Sequence, residues 1–248
     1  MKKRNDRKRS PLLLLVRGIL LTAFIFSGYI LCSYLIELYQ LKNTQSVMAD
    51  IYHQSVTKKG EGGGQEFTLD HLQAINEDII GWISIEGTSI DYPVVQAEDN
   101  DYYLTHSIYK EGSSAGAIFM DFRNCPSPLG KHTVLYGHHM RNGTMFRDLI
   151  SYKKGEFRKE HPYMVYSGKD GVMMWEIFSA YVTDAGDHYI ETDFSKGNDF
   201  GQFLEEIVSN SLYDTGCEVK QTDKVLTLST CSYEFEDARM VVHAKLIE

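Results

Sequence analysis

From residue 18 to residue 36 the chain runs for 19 positions without a charge, most of them Leu, Ile, Phe, Ala or Tyr. A stretch of that length crosses the roughly 30 Å hydrocarbon core of a bilayer as a helix. Over residues 38–59 the apolar positions thin to Leu38, Leu41, Met48, Ile51, Tyr52 and Val56, at loose helical spacing, which reads as a polar stalk. Gly60-Glu61-Gly62-Gly63-Gly64 ends that pattern. A run so rich in glycine loses too much backbone entropy to hold regular structure, so a flexible joint and a domain boundary are expected there. Leu69, Leu72 and Ile75 then share one face of a short helix that Thr68 would cap. From there the period changes from helical to extended. Residues 79–85, 90–95, 115–120, 133–136, 164–166, 173–182, 225–228 and 240–246 form short β-rich runs separated by turn residues, the pattern of a barrel or sandwich. Phe200, Phe203, Leu204, Ile207 and Ser211 recur at i, i+3, i+4, i+7 and i+11, so an amphipathic helix over 199–212 interrupts the strands between the sixth and seventh runs. A shorter helix is expected over 145–152.

Charge sharpens this layout. The first 17 residues hold seven Lys/Arg against Asp6, a local +6, and since the whole chain is −9 the remainder carries −15. A basic flank before an apolar span predicts a cytoplasmic N-terminus with everything after about residue 40 outside. A cleaved signal peptide is the rival, but its apolar region is shorter and ends in small residues, whereas Glu-Leu-Tyr-Gln-Leu follows Ile36. The expected layout is a cytoplasmic basic tail (1–17), a transmembrane signal-anchor helix (18–37), an extracellular stalk and Gly-rich linker (38–65) and a main folded domain (66–248) of a single-pass cell-membrane protein. The acidic remainder argues against nucleic acid, which selects basic surfaces. Four cysteines occur: Cys32 in the span, then Cys125, Cys217 and Cys231. Three outside is an odd number, so at least one thiol stays unpaired within the chain.

The chemistry concentrates at strand ends. Cys231 closes the seventh run and Arg239 opens the eighth, with a polar segment between, so a hairpin brings the eight-residue separation down to neighbouring positions. A thiol beside a permanent cation can form a thiolate or have an oxyanion stabilised next to it. His138 is delivered the same way, two residues beyond the strand that Gly137 ends, where an imidazole can serve a thiol as general acid or base. His138 and His139 point to opposite faces of an extended chain and cannot easily share one metal ion, and no C-x-x-C, H-x-x-x-H or H-E-x-x-H spacing occurs. No metal site and no cofactor are implied.

Thr227-Leu228-Ser229-Thr230-Cys231 with Arg239 downstream, Tyr136-Gly137-His138 upstream and the N-terminal anchor together resemble the sortase family, the cysteine transpeptidases of Gram-positive cell surfaces. Ile80-Gly81-Trp82-Ile83, 90–96, Asp99-Asn100-Asp101-Tyr102-Tyr103-Leu104, 115–121, Tyr136-Gly137-His138-His139-Met140 and the helix at 199–212 are similar to class B specifically, over about residues 67–246. The resemblance implies a mainly β fold, an eight-stranded sortase-type β-barrel with a few peripheral helices, and a two-step acyl transfer. It makes Cys231 the nucleophile, His138 the proton carrier and Arg239 the oxyanion or carbonyl donor. Asn100, Leu104, Tyr136, Tyr189, Ile190 and Ser229 match positions lining the peptide groove. The implied partners are surface proteins bearing a sorting signal and an amine of peptidoglycan or its lipid-linked precursor. A thiol hydrolase needs the same three groups, a binding module needs only the barrel, and a sortase of another class would differ in motif and acceptor.

Overall fold

The computed structural model describes residues 11–57, 69–194, 199–232 and 234–247. Two compact units divide between Val47 and Met48. In the first, helix α1 (Pro11–Thr57) begins, and its segment Leu15–Ile36, 22 residues with none buried, is long and apolar enough to cross a membrane.

In the second unit, the end of α1 does not behave as the expected stalk. Met48 and Tyr52 are buried in one core cluster with Leu72, Ile79, Trp82, Val95, Tyr103 and Phe119. Tyr52 stacks on Trp82 at 4.5 Å and 5°, and its hydroxyl is hydrogen-bonded to Ser167 Oγ at 2.9 Å. Buried aromatic pairs of this kind add stabilisation beyond their area, which is why residues 48–57 belong with the barrel. The glycine run and Thr68 lie outside the described residues.

Short helices α2 (Asp70–Gln73), α3 (Tyr102–Thr105) and α4 (Gly155–Glu160) and the longer α5 (Phe200–Ser209) decorate eight strands. These are β1 (Ile79–Ser84), β2 (Asp91–Val95), β3 (Ile118–Met120), β4 (His132–Tyr136), β5 (Tyr163–Gly168), β6 (Gly171–Asp184), β7 (Val225–Cys231) and β8 (Ala238–Leu246). They close a barrel in the order β1-β2-β3-β4-β7-β8-β6-β5. Two neighbouring pairs, β2/β3 and β4/β7, are parallel.

The third strand starts later than its β-rich run suggests. Gly116 has φ +58°, where a Cβ would sit 2.4 Å from the Tyr103 carbonyl oxygen, and Ala117 N–H donates to that same carbonyl. The chain therefore turns against α3 before it joins the sheet. The short helix expected over 145–152 is present as a 3₁₀ helix, Phe146–Lys153. Helix α5 matches its pattern: Asp199 caps it by accepting from Gly201 N–H at 2.7 Å, and Phe200, Phe203, Leu204 and Ile207 are buried. They pack on Phe178, Tyr181, Val225 and Val241 of the barrel and on Tyr189 of the β6–β7 connection, so the helix covers strands that would otherwise expose apolar surface.

Candidate active site

Three adjacent strands bring the chemistry together. In the parallel β4/β7 register His132 faces Val225 and Tyr136 faces Ser229, a constant offset of 93. The same offset carried two residues past Tyr136 aligns His138 with Cys231. In the antiparallel β7/β8 register Cys231 is the direct partner of Arg239. Gly137 lets the histidine arrive there, since a Cβ at that position would sit 2.3 Å from Ile118 and 2.8 Å from Phe146.

His138 and Cys231 line the same cleft, and the imidazole is the largest cause holding the thiol below its usual pKa; burial opposes it and the Arg239 charge assists. The thiol in turn raises His138 above the ordinary imidazole value, against its burial and with help from the Leu104 carbonyl. That carbonyl lies 2.8 Å from His138 Nε2. A carbonyl only accepts, so Nε2 carries a proton in both charge states of the ring, and Nδ1 is the nitrogen left to gain or lose one. Arg239 Nη1 donates to the Asp237 and Ala238 carbonyls, each at 3.1 Å, anchoring one edge of the guanidinium. His139 diverges from its neighbour: its Nδ1–H donates to the Cys231 backbone carbonyl at 3.2 Å, and burial lowers its pKa.

These groups sit in one cleft of about 230 Å³, and every sequence-derived candidate lines it: Asn100, Leu104, Tyr136, His138, Tyr189, Ile190, Ser229, Cys231 and Arg239. Leu104 is 36% exposed and so free to meet a ligand. Tyr189 and Ser229 are buried, their hydroxyls 3.1 Å apart. The chemistry available is nucleophilic attack by a thiolate, with a proton carrier on one side and a cationic donor on the other.

Beneath the cleft lie residues that the sequence reading did not single out. Asp121 is fully buried and accepts from Arg123 Nε (2.9 Å), Arg123 Nη2 (2.8 Å), the Tyr136 hydroxyl (2.9 Å) and Asn100 Nδ2 (3.1 Å). Burial works against its ionisation, yet the Arg123 and Tyr136 bonds prevail and hold its pKa below the ordinary carboxylate value. The available signal was an Asp-x-Arg triplet directly after a β-rich run, which alternation alone does not mark as functional.

A second network is entirely buried. His132 Nδ1 lies 2.6 Å from the Glu191 carbonyl, and Thr227 Oγ1 lies 2.7 Å from both His132 Nε2 and His243 Nδ1. The proton directions follow: His132 donates to Glu191, Thr227 donates to His132, His243 donates to Thr227, and His243 Nε2 is left without a partner. Both rings are neutral in this arrangement. Burial lowers His132 to about 4 and His243 well below the usual value.

Residues 83–247 match the family model described as the sortase domain. Sortase B of Listeria monocytogenes is 38% identical over 236 residues, spanning 92% of this chain and 94% of its own length. Sortase B of Staphylococcus aureus is 37% identical over 238 residues, spanning 95% and 97%. The crystal structure of sortase B from B. anthracis in complex with AAEK1 superposes with a TM-score of 0.75 at 39% identity, over 86% of this chain and 99% of that one.

Proposed function

The chain belongs to the sortase family of cysteine transpeptidases, and on that premise we propose that it cleaves a C-terminal sorting motif of exported proteins after threonine and transfers the acyl group to a cell-wall amine. The observation that carries this reading is the meeting of His138, Cys231 and Arg239 in one cleft, with Arg239 as the cross-strand partner of the thiol. In the first step the Cys231 thiolate attacks the threonine carbonyl, and Arg239 stabilises the oxyanion. The C–N bond breaks as His138 Nδ1 gives its proton to the departing amine, leaving a thioester. In the second step the acceptor amine attacks the thioester, His138 takes the amine proton, and Cys231 leaves as the thiolate. Because the Leu104 carbonyl keeps Nε2 protonated, the ring returns to the same tautomer after each transfer.

Asn100, Leu104, Tyr136, Tyr189, Ile190 and Ser229 form the donor-peptide groove in this reading, supported by their shared cleft. The acceptor is an amine of the peptidoglycan cross-bridge or of its lipid-linked precursor. The layout that fits is a cytoplasmic tail over 1–17, a membrane helix over 18–37 and an extracellular catalytic unit, supported by the apolar segment Leu15–Ile36 and by the basic residues before it.

The test uses the full chain in detergent micelles with a panel of threonine-containing sorting peptides, followed by intact mass. The expected result is a gain equal to the N-terminal half of one peptide, absent in Cys231→Ala and discharged onto a glycine or diamino-acid amine. Discharge to water alone in the presence of every amine would replace transpeptidation with hydrolysis. No adduct with any peptide would overturn the reading.

A further inference from the structure

The Asp121–Arg123 pair touches three parts of the cleft without lining it. Asp121 holds Asn100 and Tyr136 directly, at 3.1 and 2.9 Å. Asn100 Oδ1 in turn accepts the Phe122 amide at 3.0 Å, so the asparagine is held at both ends of its amide. Arg123 uses one edge of its guanidinium on Asp121 and reaches with Nη2 to the Ile190 carbonyl at 2.8 Å. Asn100 precedes α3, Tyr136 ends β4, and Ile190 belongs to the connection between β6 and β7. One ion pair, its carboxylate buried and its guanidinium partly exposed, thus ties together residues from three separate segments, all of which face the same cleft.

The third tie matters most, because Ile190 lies outside the barrel strands. Its segment is a 3₁₀ turn, His188–Ile190, capped by Asp187. Two successive carbonyls of that segment are held from the barrel: Ile190 by Arg123 and Glu191 by His132. The Arg123 tie is charge-assisted and fixed in direction by the planar guanidinium, which a flexible ammonium cannot reproduce at two acceptors at once.

We propose that Asp121 and Arg123 are positioning residues for the donor peptide: they hold Asn100, Tyr136 and Ile190 at the spacing that the peptide requires before it arrives. This rests on the transpeptidase reading and deepens it. Neither residue contacts Cys231 or His138, so the pair acts on binding and not on the chemistry of the thiol. Loss of the tie leaves one wall of the cleft to be ordered at the peptide's expense, which weakens binding without slowing the bond-making steps.

The test is Arg123→Lys in the full chain in detergent micelles. Lysine keeps a cation beside Asp121 and gives up the second arm to Ile190. The expected result has three parts: KM for the sorting peptide rises about tenfold, kcat stays within about twofold, and Cys231 reacts with a small alkylating reagent at the wild-type rate. Amide hydrogen exchange over residues 188–191 also becomes faster, whereas that of β4 and β7 does not. A lower melting temperature and reduced kcat with unchanged KM would assign the pair a merely structural role and overturn the proposal. Unchanged exchange at 188–191 would overturn it independently of any substrate. A wild-type chain that no peptide acylates would sink the transpeptidase reading, and this inference with it. Asp121→Asn, which leaves the donors of Arg123 and Asn100 facing an amide, is expected to raise KM further; a KM equal to that of the wild type counts against the proposal.

Discussion

Cys231 and His138 shift each other toward the ion pair, the thiol down and the imidazole up. Removing the ring in His138→Ala takes away the largest influence on the thiol. The pH midpoint of Cys231 alkylation is expected to move upward, and acyl transfer to fall by more than about 10²-fold, within the range for loss of an acid–base group; stopped-flow alkylation across pH checks the first part. In the proposed reaction Arg239→Lys gives up a planar donor to the oxyanion and is expected to lower kcat about 10²-fold; near-normal turnover would remove that role from Arg239. His132 poses a different question, since it is buried neutral with a pKa lowered to about 4. Between that value and the ordinary 6.5 the unfolded chain binds more protons than the folded one, so stability is full above about pH 6.5 and declines as the pH falls toward 4. The loss from this one residue is about 3 kcal/mol, and His243 adds in the same direction. Denaturant unfolding at a series of pH values reads the slope, which His132→Gln is expected to flatten.

The end of α1 and the covering helix α5 show how an amphipathic segment takes its place once a partner surface exists. The apolar residues of α5 were visible as a stripe and are the ones buried. Met48 and Tyr52 were visible too, but two apolar positions in a polar stretch do not reveal whether anything receives them. The receiving surface is built by Trp82 and Ser167. Tyr52→Ala is expected to cost about 3 kcal/mol, and a fragment beginning at Gln65 to melt on the order of 10 °C below one beginning at Val47. Calorimetry on the two fragments decides it: equal melting temperatures would return residues 48–57 to a stalk.

Across the whole chain, a basic terminus, an apolar helical segment and an acidic catalytic unit follow one another. In the proposed orientation the exposed Cys125 faces the outside of the cell. A membrane-impermeant maleimide added to intact cells carrying the Cys231→Ala chain is expected to label Cys125, and labelling only after lysis would reverse the topology.

Much of this protein was already decided by local pattern: eight extended runs, the helix between the sixth and seventh, the apolar segment, and the hairpin that pairs Cys231 with Arg239. Backbone preference and face burial act over a few residues, so periodicity records them. Only the tertiary structure decided that β4 and β7 lie side by side and parallel, which is what sets His138 against Cys231. It also decided that Asp121 and Arg123 reach the backbone of Ile190 at the wall of the cleft. Those pairings join segments far apart along the chain. They depend on how barrel closure packs shared faces, and no local period encodes that choice.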